Sequence, residues 1–169
     1  MIKKLLISSV LLLLFTSCSK DKRIERFLRG SWTATKTSVE SSAKRGPTDS
    51  SGYNLEVTAS GTCNFNKDGT GSCQWEIRHN VKQGTGIVMM QMSKETNEFK
   101  WRIENENLII EHQKKCHCNN KEERYVIVEK YEDMITLQSQ TKSTIEVHCA
   151  SCGGTLREQF GWKLTLNKM

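Results

Sequence analysis

Four late cysteines carry the strongest chemical signal in the chain: Cys116-His117-Cys118 and Cys149-Ala150-Ser151-Cys152 form a C-x-C and a C-x-x-C pair. Thiols at these spacings support three chemistries. On a strand, Cys116 and Cys118 point to one face and cannot readily bridge each other. Each then takes a partner from the second pair, and two disulfides staple the segments together, contributing typically about 2–4 kcal/mol each. Deprotonated, the same four sulfurs could surround zinc tetrahedrally, with His117 and His148 adjacent and Gly153-Gly154 letting backbone amides approach. Redox exchange at Cys149 and Cys152 is the third chemistry, but a reactive pair normally opens a helix, and Gly153-Gly154 argue against one. An oxidising compartment favours disulfides and therefore no cofactor, with zinc as the alternative.

Cys63 and Cys73 flank Asn66-Lys67-Asp68-Gly69-Thr70 symmetrically. This segment suits a three-residue hairpin loop in which Gly69 takes the left-handed position. Counting outward from an Asn66–Thr70 pair sets Phe65 opposite Gly71 and Cys63 opposite Cys73. That is a non-hydrogen-bonded pair with Cα atoms ~4.5 Å apart, within disulfide range. A cross-strand disulfide is expected.

The seventh cysteine, Cys18, follows a different logic. Lys3 and Lys4 precede an apolar run, Leu5 to Phe15, and small residues Thr16 and Ser17 stand directly before Cys18. This order reads as a signal peptide over residues 1–17, too short for a permanent span of ~20 residues. A cysteine at the cleavage point marks lipoprotein processing, since its thiol accepts a diacylglycerol. The expected location is the cell envelope, lipid-anchored to the outer membrane, with the periplasmic face preferred. Of the seven cysteines, the six that follow are an even number in a non-cytosolic chain.

The other residue types offer no catalytic set. His79, His112, His117 and His148 lie in no hydrolase pattern. Gly84-Thr85-Gly86 lacks the following Lys-Ser/Thr of a phosphate loop and reads as a flexible turn. No enzyme is expected, and no catalytic residue is assigned. The chain has 25 basic and 19 acidic residues, a net charge of +6. The excess is spread along the chain without an aromatic-interleaved basic block, so nucleic acid is not an expected partner. The local cluster Lys20, Lys22, Arg23, Arg26 and Arg29 reads as a solvated tether entering a short helix, or as a patch against anionic headgroups.

The elements that position these residues are short. Ile24, Phe27 and Leu28 recur at i, i+3, i+4, a helical hint within the lipidated tether of residues 18–29. Residues 41–54, with the single proline Pro47, read as an exposed loop. From Gly30 to the C-terminus the rest is strand-like, near Trp32–Val39, Leu55–Ala59, Thr62–Asn66, Gly71–His79, Gly86–Ser93 and Phe99–Glu104. Further runs lie near Asn107–Gln113, Arg124–Tyr131, Met134–Gln140, Thr144–Cys149 and Phe160–Leu166. Short turns at 66–70, 104–107 and 132–133 make sequence neighbours into antiparallel neighbours, so a sandwich or a closed up-and-down barrel is expected over residues 30–169. Trp32, Trp75, Trp101 and Trp162 fall on its core-facing phase, with some at a cavity mouth.

Gly30-Ser31-Trp32, following the short helix, resembles the G-x-W signature of lipocalins. With Ser17-Cys18-Ser19-Lys20-Asp21, Phe65-Asn66-Lys67-Asp68-Gly69-Thr70 and the hairpin from Trp101 to Leu108, the arrangement is similar to lipocalin-like lipoproteins of the Bacteroidota type. The resemblance implies an all-β, antiparallel up-and-down barrel of about eight strands with a short N-terminal helix. It also implies that Trp32 seals the closed end beside a late basic residue, Lys163 first and Arg157 second. A T-D-Y-type second motif is lacking, and the four late cysteines lie outside the family pattern, so ligand contacts are not carried over. The expected function is binding of a small apolar ligand or an envelope partner. The alternatives are an interaction or inhibitor module without a cavity, and a metal-binding protein using the four late cysteines.

Overall fold

Period-two alternation in the sequence becomes antiparallel β-structure in the computed structural model. The structure describes residues 20–40, 53–83, 85–113, 121–149 and 154–169, the side chains of Glu40, Cys149, Gly154 and Leu156 excepted. A helix, α1, covers residues 20–28. Nine strands follow: β1 (Gly30–Glu40), β2 (Tyr53–Phe65), β3 (Thr70–Gln83), β4 (Gly86–Glu104), β5 (Asn107–His112), β6 (Glu122–Lys130), β7 (Met134–Ser139), β8 (Ser143–Cys149) and β9 (Gly154–Lys168).

The strands pair in the order β1-β2-β3-β4-β5-β6-β7-β9-β8, and β1 also pairs with β9, which closes the sheet into a ring. Along β9 the partners succeed one another: Met134 to Gln138 of β7 face Asn167 to Lys163, and Ser143 to Cys149 of β8 face Phe160 to Gly154. Because β1 occupies the other edge of β9 from Phe160 to Lys168, β7 and β8 share one edge. They act as one strand interrupted at residues 140–142, so the ring has the girth of an eight-stranded barrel, whose interior is just wide enough for side chains to fill. Ser139 fills the break: its hydroxyl accepts from the Trp162 amide at 2.7 Å and donates to the Thr141 carbonyl at 2.9 Å.

The three hairpin joints lie where the turn residues place them. Asn66 N donates to Thr70 O at 2.8 Å, and Gly69 has φ +81°. Asn105 and Glu106 both adopt the left-handed region, φ 52° and 62°. At the third joint Tyr131 N donates to Met134 O. Two pairs of expected strands are single strands in the fold. Leu55–Ala59 and Thr62–Asn66 run together as β2 through Gly61, where a Cβ would strike the Gln74 carbonyl. Gly86–Ser93 and Phe99–Glu104 run together as β4. Its polar middle, Lys94 to Glu98, keeps the alternation: Glu95 and Asn97 turn inward and line a small, mainly apolar void beside Lys36. Of the expected loop over 41–54, Tyr53 and Asn54 belong to β2, while residues 41–52 lie outside the described residues.

The core runs through the ring, and α1 plugs one end. Leu28 and Trp32 are fully buried and Ile24 nearly so. The Trp32 indole donates to Leu28 O at 2.7 Å, and its ring lies 5.3 Å from Phe27. Asp21 fastens the start of the helix by accepting from the Asn105 and Glu106 amides at 3.1 and 2.8 Å. Gly30 turns the chain from helix to strand at φ +116°, a conformation that favours glycine.

Candidate functional site

The charged residues inside the barrel gather at one place. Lys36 stands on β1 in the inward phase of Trp32 and Ala34, and Glu123 and Tyr125 stand in the inward phase of β6. The Lys36 ammonium donates to both Glu123 carboxylate oxygens, at 3.0 and 3.2 Å. Tyr125 donates its hydroxyl to Glu123 Oε2 at 2.6 Å. Lys36 Nζ also sits 4.7 Å from the Trp162 ring centroid, a cation–π contact. His112, from β5, brings Nε2 to 3.7 Å from Glu123 Oε2, and neither of its ring nitrogens has a hydrogen-bond partner among the described residues.

Burial alone would push the Glu123 carboxyl up. The charge of Lys36, with His112 and Tyr125, outweighs it and holds the group well below the usual carboxylate range. Burial and the Glu123 charge push the Tyr125 phenol well above its ordinary value. Glu123 is thus ionised with its oxygens occupied, and Lys36 is its counter-ion. The arrangement holds charge in place.

Two voids flank Lys36. One, about 50 Å³, lies among Val57, Ala59, Trp75, Ile77, Ile145 and Trp162. The other, about 40 Å³, lies toward Phe65, Phe99, Ile110 and Tyr125. Each has room for a water or two, far below the roughly 300–1,000 Å³ of ordinary ligand sites.

The expected site residues fall into three groups. Cys63 and Cys73 are bonded, with Cα atoms 4.1 Å apart and the register counted from the hairpin. Cys18, Cys116, His117, Cys118 and Cys152 lie outside the described residues, and Cys149 is described only as backbone, opposite Gly154. Among the described residues no group of three or more His, Cys, Asp and Glu could hold a metal. His148 is exposed on β8, with Nδ1 3.5 Å from Thr155 Oγ1. The basic partner implied for Trp32 is displaced. Trp32 faces Lys168, whereas Lys163 faces Thr37 five positions away and points outward. Parity decides this: Trp162, Leu164 and Leu166 take the inward phase, so Lys163 cannot. Arg157 pairs with Glu146 on the β8–β9 hairpin instead. At the closed end Lys130 lies 4.4 Å over the Phe27 ring, whose centroid is 5.3 Å from that of Trp32.

Three tryptophans are core: Trp32, Trp101 and Trp162 are at most 5 % exposed. Trp75 is partly buried and lines both voids. Sequence reasoning missed Lys36, Glu123 and Tyr125. The available signal was a charged residue in the apolar phase of two strands, with opposite signs.

Outside the barrel, β4 presents an apolar row. Ile87, Val88, Met90 and Met92 are 51, 41, 57 and 53 % exposed. β5 pairs with β4 only from Phe99 onward, so among the described residues the outer edge of β4 from Gly86 to Asn97 has no strand beside it. Among the described residues no helix is long and apolar enough to cross a membrane. No protein-family model matches the chain, and no curated protein matches it.

Proposed function

We propose that this chain is a lipid-anchored, lipocalin-like lipoprotein of the cell envelope that works by binding a partner protein on its outer surface. It does not work by catalysis, nor by enclosing a small apolar ligand. One observation carries the choice: among the described residues the voids beside Lys36 measure only about 50 and 40 Å³, on either side of a satisfied Lys36–Glu123 pair. A ligand reading needs several times that space. The occupant of the β4 surface is an extended segment of an envelope protein, which would add a strand along Gly86–Asn97 and cover Met90 and Met92. Backbone pairing at such an edge supplies affinity, and the alternate side chains supply selectivity. The lipid on Cys18 keeps the module at the outer membrane, where the periplasmic face is preferred.

Two measurements test this together. Native mass spectrometry of gently purified protein is expected to give the chain mass with its lipid and no further small molecule. A photo-crosslinking residue at Met92 is expected to give one discrete protein adduct in living cells, lost in an M90E variant, while the same probe at the outward Lys163 gives none. A stoichiometric small molecule, or equal labelling at both positions, rejects the reading.

A further inference from the structure

The helix at the closed end removes the slack from the proposed anchor, and this fixes how the barrel stands on a membrane. Cys18 and Ser19 can extend by no more than ~3.6 Å per residue, so acyl chains on Cys18 hold the start of α1 within about a Debye length (~8 Å) of the headgroups. α1 is no free tether: Ile24 and Leu28 are buried, and Asp21 is hydrogen-bonded to the β4–β5 turn. The barrel must therefore come down with it.

The surface brought down is suited to a bilayer. Lys22, Arg23 and Arg26 are exposed and form no ion pair with the described residues, whereas Lys20 pairs with Glu106 and Arg29 with Glu25. A groove between α1, the β4–β5 turn and β6 is lined by Arg23, Ile24, Glu106, Val126, Ile127 and Lys130. Val128 and Tyr131, 54 and 58 % exposed, continue the apolar surface at the same end. The cationic excess lies on α1, where each charge near an anionic surface contributes about 1 kcal/mol, while the end of β6 supplies exposed apolar side chains beside Lys130 and the exposed acids Glu129, Glu132 and Asp133.

We propose that this flank, α1 with the end of β6, is the face that lies on an anionic bilayer. The opposite end, with the β3–β4 and β8–β9 hairpin tips, then points away. The inference rests on the lipoprotein reading.

The test uses the acylated full-length product in nanodiscs of phosphatidylcholine, with and without phosphatidylglycerol, followed by hydrogen exchange. The expected result is slower exchange in residues 20–28 and 126–131 when phosphatidylglycerol is present. That gain is lost in K22Q/R23Q/R26Q and in high salt, while the variant's melting temperature stays unchanged and K22R/R26K keeps the gain. Acylated protein with protection at the hairpin tips, or with no lipid-dependent protection at all, overturns the orientation and leaves the lipoprotein reading standing. An intact mass without lipid on Cys18 overturns both.

Discussion

At the scale of single residues, the informative group is the Lys36–Glu123 pair. Glu123 is 2 % exposed and Lys36 15 %, so each desolvates the other's charge, and removing one partner strands the second. E123Q and K36M are each expected to cost about 3–5 kcal/mol in chemical denaturation, whereas K36M/E123M costs less than either. Additive losses in the double variant would reject the pairing as the reason. The acid limb gives a second readout. Glu123 titrates below its ordinary value of 4.5 when folded, so on acidification the unfolded chain binds that proton first. The stability from this group is whole above about pH 4.5 and is lost as pH falls below it, a slope that E123Q should flatten. A smaller prediction concerns Glu106, held at φ 62°. A left-handed non-glycine residue costs roughly 1–2 kcal/mol, and the exposed Lys20–Glu106 pair returns less than about 1. E106G should therefore raise the unfolding midpoint. None of the Lys36 cluster was singled out from sequence, because the inward phase of a strand is ordinarily read for its apolar members. Lys36 and Glu123 meet across 87 residues of chain, a distance over which only closure of the ring brings them together.

At the scale of elements, legibility followed turn chemistry. Asn66 to Thr70 fixes its own register, and from it Phe65 opposite Gly71 and Cys63 opposite Cys73 could be counted residue by residue. The disulfide closes a separation of only 10 residues, so the chain-entropy account assigns it about 2–3 kcal/mol. C63A/C73A is expected to lower stability by that amount and keep the β-sheet circular dichroism, since Phe65, Phe99 and Trp101 still pack at that end, with Phe65–Trp101 centroids 5.4 Å apart. Loss of the whole fold would show that the bridge specifies the hairpin. What stayed hidden was strand length. Gly61 reads as a break, yet in β2 it marks close approach of the Gln74 carbonyl. Lys94 to Glu98 fall in the gap between two expected runs, yet in β4 this polar stretch faces water on one side and the interior charge cluster on the other. The break between β7 and β8 was legible as the gap between Met134–Gln140 and Thr144–Cys149; that both pair with β9 was not, because it depends on where β9 changes partner from β8 to β7.

At the scale of the whole molecule, the question is whether the ring encloses a site or a core. Residue patterning led to a sandwich or a closed barrel, because the inward phases are mainly apolar or aromatic; it could neither choose between them nor set the free volume, which depends on how Trp75, Trp162 and Lys36 meet across the interior. The energy at stake can be bounded. An unfilled cavity costs about 24 cal/mol per Å³, so a void of about 50 Å³ withholds roughly 1 kcal/mol from the fold. Ala59 lines that void and is 6 % exposed, so A59V adds two methyl groups where space exists. If the barrel is packed for stability and the outer surface binds, A59V should raise the unfolding free energy by up to about 1 kcal/mol and leave the Met92 crosslink unchanged. If the interior is a ligand site, the same methyl groups compete with its occupant: the variant gains nothing, and a ligand-dependent rise in melting temperature seen in the parent disappears. Calorimetry on the parent and A59V, each purified from cells and again after refolding from denaturant to strip any occupant, separates the two cases. Identical stability of cell-derived and refolded parent, with A59V above both, is the expected pattern for a barrel that is its own core.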